Sequence, residues 1–520
     1  MKNIFNTSKS ALKAATTASL IFTFGACTSN NVEENNYPNV IYVFPDQFRN
    51  SAMEFWANDE YSSYLNHKSD PVITPNLNKF ASQSIVFSSA FSSTPVSSAH
   101  RGSLMTGMYP NNSGVSLNCN SNRPISSLRD DVETVGDVFS SNGYDCAYIG
   151  KYHLDYPTPN DPENPGHYVE KRIPAWDAYT PKEKRHGFNF WYSYGTFDTH
   201  KTPHYWDSNG KRHEIREWSP KHEVDVAINY LENLSDDRDS SKPFFLMISM
   251  NPPHHPYKSL NDCMEEDYNL YKDKSLGELL VRDNVDTTMV KAKSAAYYFA
   301  QITGVDREFG RLLSKLEELN LSDNTIVVFA SDHGDTMCSH GIDDAKNSPY
   351  TEATNIPFIV RYPNKIKHSV TNKLITSQDI MPTLLSLSGL ENKVPKTVQG
   401  ESFANYILTG DDENIPNSAL YIRNLDGEKD DNGKTLSYFP ETRGVKTQEF
   451  TMTITIDRSS KLKNILLFDD INDPYQMNNL DINDYPEVAE KLMYELAALL
   501  KKSDDPWYNE KVLSDLITYQ

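Results

Sequence analysis

The sequence predicts an α/β fold: a large mixed, mainly parallel sheet sandwiched by helices, with a smaller C-terminal α+β subdomain. Three observations carry this prediction. Short continuous apolar runs, such as NVIYVF at 39–44, PFFLMISM at 243–250 and TIVVFA at 325–330, read as strands buried on both faces. Segments with apolar residues at helical spacing alternate with them, the pattern of a sheet covered by helices. After about Gly410 the texture changes to shorter, alternating segments that suit antiparallel strands.

In chain order, Asn39–Phe44 is the first strand. A helix then starts at TPNLNKFASQ, with Thr74 as its cap and Pro75 in the first helical position. VETVGDVFSSNGYDCAYIGKYH reads as helix, glycine turn and a strand at Cys146–Ile149. Val224–Leu234 is helical, and Pro243–Met250 is another buried strand. Ser294–Leu319 is a long amphipathic helix whose inward face carries Phe299, Ile302, Val305, Phe309, Leu312 and Leu316. NTIVVFASDHGD gives strand then loop, Ile356–Pro363 a further strand, and SQDIMPTLLSLSGL a further helix. Beyond a charged linker, SYFPETRGVKTQEFTMTITID and NILLFDD alternate as antiparallel strands, and Glu487–Lys501 closes the chain as a helix. No internal repeat is visible.

The amino terminus sets the organisation. A Lys-bearing start, an apolar run from Ala14 to Phe24, and then Gly25-Ala26-Cys27 form a secretory signal. The run is too short to span a bilayer. The small residues before Cys27 resemble a bacterial lipoprotein box, which implies lipid anchoring in the outer membrane, on the periplasmic or the cell-surface side. The expected layout is 1–27 signal peptide, 28–36 polar tether, 37–410 catalytic domain and 411–520 C-terminal subdomain.

With 50 basic and 71 acidic residues the formal net charge is −21. That balance argues against nucleic-acid partners, which need a basic face. It leaves room for an anionic substrate in a local cationic pocket. The five cysteines show no CxxC and no zinc spacing, so free or buried thiols are expected.

In open α/β sheets, ligands bind outside the carboxyl ends of the strands. Four such ends carry chemistry here: Asp46-Gln47, Lys151-Tyr152-His153, His254-His255 and Asp332-His333. Asp46, Gln47, Asp332 and His333 offer oxygens and one imidazole, a donor set suited to Ca²⁺ or Mg²⁺ rather than zinc. The stretch TPVSSAHRGSLMTG at 94–107 places hydroxyls, a His and an Arg at a helix start, which reads either as a plain cap or as a nucleophile site.

SSAHRGSLMTG resembles the signature of the type I, formylglycine-dependent sulfatases of the alkaline-phosphatase superfamily. PNVIYVFPDQ, IGKYHLD (with Tyr152 where Trp is usual), PPHHPY, ASDHGDTMCSHG with Lys346, DIMPTLLSLSG and NDPYQMNNL resemble further family segments across most of the chain. The resemblance implies that Ser97 is oxidised to formylglycine, whose hydrate attacks sulfur and later expels sulfate as the aldehyde re-forms. It implies metal ligation by Asp46, Gln47, Asp332 and His333, with Gln47 replacing a common Asp. Arg101 then orients the hydrate and the metal carboxylates, and Lys151 and Lys346 hold sulfate oxygens. His153 sits beside the hydrate, and His254, with His255 adjacent, is the acid at the leaving oxygen. His100 occupies a variable position of the signature. A Ser-type site implies modification before export by an anaerobic, radical iron–sulfur maturase.

The region 176–213 is dense in aromatic, His and basic residues. Phe188, Phe190 and Trp191 are expected in the core. His200, His204, Tyr205 and Trp206, together with His340, are the candidates to meet a sulfated carbohydrate, by stacking and by charge. Two rival readings are a phosphoester or phosphonate hydrolase of the same superfamily and a non-catalytic glycan-binding lipoprotein.

Overall fold

The computed structural model describes residues 37–157, 174–177 and 179–514. The signal-peptide and tether assignments lie outside these residues. Among the described residues, no helix is long and apolar enough to cross a membrane.

The described residues form sixteen strands: β1 (Asn39–Val43), β2 (Ile85–Phe87), β3 (Ala90–Phe91), β4 (Asp145–Lys151), β5 (Phe190–Tyr194), β6 (His204–Asp207), β7 (Arg212–Glu214) and β8 (Phe244–Ser249) precede β9 (Thr325–Ala330), β10 (Asn355–Ile356), β11 (Phe358–Arg361), β12 (Ser369–Thr371), β13 (Ala419–Asp426), β14 (Tyr438–Lys446), β15 (Phe450–Ile456) and β16 (Leu462–Asp469). Ten form one sheet in the order β12-β2-β11-β9-β1-β8-β4-β5-β6-β7. Its centre, β9-β1-β8-β4-β5, is parallel throughout, and antiparallel pairings begin at β11 and β6. The sheet is therefore mixed and mainly parallel.

Both faces are covered, which is why these strands read as unbroken apolar runs. Along β1, Ile41 and Val43 enter one core cluster, and Val40 and Tyr42 enter the cluster on the other side. The first face packs against the helix Ala295–Glu318. Its predicted inward residues Phe299, Ile302, Val305, Phe309, Leu312 and Leu316 are all fully buried. Truncating one such aromatic, as in Phe309→Ala, costs about 3–5 kcal/mol. The second face carries the helices Ser97–Thr106, Val135–Ser141 and Ile380–Leu387.

One local expectation is corrected. The helix Pro75–Ala81 has Pro in its first turn, but the Thr74 side chain does not cap it. Thr74 Oγ1 accepts from the Glu54 amide instead, and Asp306, from the long helix, receives the amides of Asn76 and Leu77. A tertiary carboxylate has replaced the local cap.

β3 and β10 form a two-stranded antiparallel pair, and the four-stranded antiparallel sheet β13-β14-β15-β16 packs against the helix Pro486–Lys502 through Leu420, Met452, Leu492 and Leu496. The four-stranded sheet lies beside the Ser97 region, since Ile422 N donates to Ser93 O at 2.8 Å. Arg123 also forms an ion pair with Asp426 at 2.8 Å. Cys119, Cys146, Cys263 and Cys338 are buried free thiols.

Candidate active site

The four strand ends singled out in the sequence belong to neighbouring strands. The β9-β1-β8-β4 order brings Asp332, Asp46, His254 and Lys151 to one edge. The chain after β1 stays bonded to that after β8, with Asp46 N donating to Met250 O at 2.9 Å. Gly150 lets β4 approach β8: its φ is +96°, and a Cβ there would lie 2.1 Å from the Ser249 carbonyl oxygen. Gln47 and His153, the next functional residues on β1 and β4, adopt φ of 64° and 54°. Left-handed backbone is uncommon for such residues and clusters at functional sites.

Ligand atoms of Asp46, Asp332 and His333 lie within 4.8 Å of one another, and all three residues are buried. Asp332 Oδ1 accepts the amides of Gln47 at 3.1 Å and His333 at 2.9 Å, which locks both neighbours around it. His333 Nδ1 donates to Gly334 O at 2.9 Å, so its Nε2 carries the lone pair. That Nε2 lies 3.1 Å from Ser97 Oγ and 3.4 Å from Asp46 Oδ1. Asp46 Oδ1 and Gln47 Oε1 are buried acceptors without a hydrogen-bond partner among the described residues. Such orphaned oxygens are costly unless a cation completes them. Three oxygen-bearing side chains and one imidazole fit a hard divalent ion.

Cations ring this cluster. Arg101 spends its donors on Asp46 Oδ2 at 3.1 Å, Asp332 Oδ2 at 3.2 Å, Ser249 Oγ at 2.6 Å and Lys151 O at 2.9 Å. Its guanidinium also lies 4.7 Å from the Phe44 ring centroid. Arg101 therefore orients the two carboxylates, and among the described residues it makes no hydrogen bond to Ser97. Lys151 Nζ is 2.7 Å from Asp46 Oδ2 and 3.3 Å from Asn251 Oδ1. Burial pushes the Asp46 carboxyl up, but Lys151, ahead of the other cationic groups, holds it well below the usual carboxylate range.

Lys346 closes the site above the hydroxyl. Its Nζ lies 2.9 Å from His254 Nε2, 3.2 Å from His333 Nε2 and 3.4 Å from Ser97 Oγ. Burial, against the attraction of Asp46, lowers its pKa. His254 Nδ1 donates to His255 O at 2.9 Å, which leaves Nε2 to accept from Lys346. Burial and then Lys346 and Lys151 drive the His254 pKa well down, so the imidazole is neutral. Asp198 lies 3.5 Å from His254 Nδ1 and 3.4 Å from His255 Nε2. His153 is buried with Nε2 on Cys119 O at 3.0 Å and Nδ1 unpartnered, and no hydrogen bond joins it to Ser97.

The pocket candidates fare differently. Tyr205 and Trp206 are at most 1% exposed and form a cluster with Tyr194 and Phe197. They are packing residues and cannot offer a face to a sugar. His204 is held by Asp177 at 2.6 Å, and buried His200 bonds to His254 O at 2.9 Å, where it supports the His254 loop. His340 stacks on Tyr350 with centroids 3.6 Å apart and lies 3.4 Å from Glu352 Oε2, in a structural network with Arg282. Trp191 and Phe188 are buried as expected, while Phe190 is half-buried. Three residues were given no role on the sequence alone: Asp335, Asn251 and Asp198. Asp335 stood inside the quoted ASDHGD segment, and Asn251 directly after a strand, so position could have flagged both.

This arrangement, a hydroxyl at a helix start facing two carboxylates, an amide oxygen and two lysines at one sheet edge, defines an α/β hydrolase built to act on an anionic ester. The comparisons with known proteins give the family. The Sulfatase family model matches residues 38–390, and an N-sulphoglucosamine sulphohydrolase C-terminal model matches 339–502. The chain belongs to the sulfatase family and is a sulfuric ester hydrolase. It is 60% identical over 489 residues to an endo-4-O-sulfatase of Bacteroides thetaiotaomicron, covering 94% of this chain and 96% of that protein. It is 32% identical to an ulvan-active sulfatase of Formosa agariphila, covering 91% of this chain and 82% of the relative. A solved structure from work on glycosaminoglycan metabolism in Bacteroides thetaiotaomicron superposes with a TM-score of 0.91 at 60% identity, covering 92% of this chain and 99% of its own. A phosphonate monoester hydrolase of Agrobacterium radiobacter, at 18% identity and TM-score 0.61, shares the fold.

Proposed function

We propose that this sulfatase removes 4-O-sulfate from within glycosaminoglycan chains, using a formylglycine made from Ser97. The substrate reading is supported by the relative named endo-4-O-sulfatase, which matches nearly the whole length of both chains. The observation that carries the chemistry is the convergence on Ser97 Oγ of His333 Nε2 at 3.1 Å and Lys346 Nζ at 3.4 Å, beside the unpartnered oxygens of Asp46 and Gln47.

In the overall reaction the ester S–O bond breaks, the sugar oxygen gains a proton, and water supplies the fourth oxygen of sulfate. Two-electron oxidation of Ser97 by the maturase gives an aldehyde that adds water. One hydroxyl of this hydrate takes the sulfuryl group as the ester S–O bond breaks. The second then loses its proton and re-forms the aldehyde as the C–O bond breaks and sulfate leaves, a route an ordinary serine lacks. Asp46, Gln47, Asp332 and His333 would hold a divalent ion, Ca²⁺ or Mg²⁺, that supplies Lewis-acid stabilisation of the sulfuryl oxygens. Lys151 and Lys346 neutralise charge on those oxygens. The neutral His254 accepts from Lys346, so the two share the proton that the departing sugar oxygen needs. His153, buried with a free Nδ1, is the base we assign to the hydrate's hydroxyl.

The matured protein is an outer-membrane lipoprotein anchored at Cys27, converted at Ser97 by an anaerobic radical maturase before export. The test is sulfate release from chondroitin 4-sulfate and from its 6-sulfated isomer, with chain length followed on both. Release from the 4-sulfate alone, on long chains, supports the reading. Release confined to terminal sugars, or to the 6-sulfate, overturns it.

A further inference from the structure

A cleft of about 540 Å³ opens next to position 97, between the segments around Val96 and Asn118 and the C-terminal subdomain. That volume lies within the range of saccharide-sized sites. Its inner wall touches the reaction centre at three points. Val96 precedes the nucleophile position, Asn347 follows Lys346, and Trp176 lies with its ring 6.1 Å from that of His153. Its outer wall comes from the end of β13 and from the loops after β13 and β15, which carry Lys429 and Arg458.

Two of the residues on that outer wall are exposed cations, although the formal net charge is −21. Nearby basic side chains, Arg123, Arg423 and Lys446, are half-buried and paired with carboxylates. Arg458 is exposed and has no ion-pair partner among the described residues; its guanidinium rests 4.7 Å from the Phe439 ring centroid. Lys429 is exposed and reaches only Asp426, at 3.7 Å. That carboxylate is already held in two hydrogen bonds by Arg123, at 2.8 and 3.2 Å. Arg458 therefore faces the cleft unpaired among the described residues, and Lys429 faces it beside a carboxylate that Arg123 already engages, on a protein of net negative charge.

We infer that this cleft binds the sugar next to the sulfated one, and that Lys429 and Arg458 recognise its carboxylate. The inference rests on the glycosaminoglycan reading above, because the alternating uronates of such chains place a carboxylate one sugar from each sulfate. It gives the enzyme a reason to prefer an internal position: only a sugar that continues into the cleft meets both cations. Arg458 offers the planar fork that pairs with a carboxylate, and Lys429 adds a mobile charge.

The test is calorimetric binding to the full chain carrying Ser97→Ala, so that no turnover occurs. The ligands are a 4-O-sulfated chondroitin tetrasaccharide and the same tetrasaccharide with its carboxyls reduced. Adding Lys429→Gln and Arg458→Gln should weaken binding of the native tetrasaccharide about tenfold. The carboxyl-reduced ligand should bind both proteins alike, with the melting temperature kept. If the parent binds the native tetrasaccharide and the triple variant binds it equally well, the cleft assignment is overturned while the substrate reading stands. If the reduced ligand loses as much as the native one, the cations act on something other than the carboxylate, which also overturns it. If the parent does not bind the native tetrasaccharide at all, the substrate reading falls and the cleft assignment with it.

Discussion

Gln47 Nε2 donates to Asp335 Oδ2 at 2.5 Å, and this contact fixes which end of the amide faces the cluster of Asp46, Asp332 and His333. Asp335 also accepts from Tyr257 Oη at 2.8 Å, Lys291 Nζ at 2.8 Å and the Met337 amide at 2.7 Å. Burial raises its carboxyl, and Lys291 leads the groups that bring it down to about 2. The charged Asp335 demands a donor, so Gln47 presents its oxygen inward. An Asp at position 47 would set a second buried carboxylate against Asp335, which explains physically why an amide stands there.

Gln47 and Asp335 should therefore behave as a pair. Asp335→Asn removes the cue that orients the amide, and affinity for the divalent ion, Ca²⁺ or Mg²⁺, should fall about 10- to 100-fold. Gln47→Asp should weaken metal binding and lower the melting temperature, and adding Asp335→Asn to it should restore part of both. Calcium titration by calorimetry and melting with and without the ion read the two effects separately. Additive losses in the double variant would contradict the pairing.

Lys346→Met should lower kcat about 10²- to 10³-fold, because a cation aimed at the reacting oxygens is lost. The residue is half-buried in a loop and fills no core, so circular dichroism and melting should stay near the parent's. A loss in KM alone would place Lys346 in binding rather than in the reaction.

Glu352 and Arg282 form a buried ion pair joined to His340 and Asn284. Burial raises the Glu352 carboxyl, and Arg282 more than reverses this, holding it well below its ordinary value. A depressed carboxylate stabilises the fold above its unfolded pKa, and that stability is lost as pH falls through the unfolded value toward the folded one. Glu352→Gln should cost about 3–5 kcal/mol near neutral pH by leaving Arg282 buried and unpaired. The deficit should shrink as the pH of urea unfolding is lowered below about 4.5. A pH-independent deficit would contradict the assignment.

Trp206→Ala should destabilise the protein by about 3–5 kcal/mol through the cavity it leaves. It should not act as a sugar-binding variant does: at a temperature where the protein is folded, the KM for long and short chains should change in the same proportion. A selective rise in KM for long chains would return Trp206 to the substrate-binding surface.

Some of this was legible in the sequence for physical reasons. A parallel strand buried on both faces reads as an unbroken apolar run, and ligands gather beyond its carboxyl end. Asp46, Lys151, His254 and Asp332 could thus be read as one edge before any geometry. Other features depend on which way a side chain turns. Tyr205 and Trp206 look like a sugar platform by composition, yet their strand turns them into a packed aromatic cluster. The sequence SHG at 339–341 suggests a site histidine, but His340, at φ 59°, turns onto Tyr350 and toward Glu352. Thr74 has the composition of a cap, yet Asp306, far along the chain, does that work. Asp335 lay within a recognised segment, but its contact with Gln47 spans 288 positions and follows no local rule.

On the proposed function, position 97 carries an aldehyde when the enzyme acts. Mass spectrometry of the peptide spanning Ser97, from active protein matured anaerobically, tests it most directly. The expected peptide is two hydrogens lighter than the encoded one, or is its hydrate, in proportion to specific activity. Full desulfation by protein whose Ser97 is unmodified would contradict it.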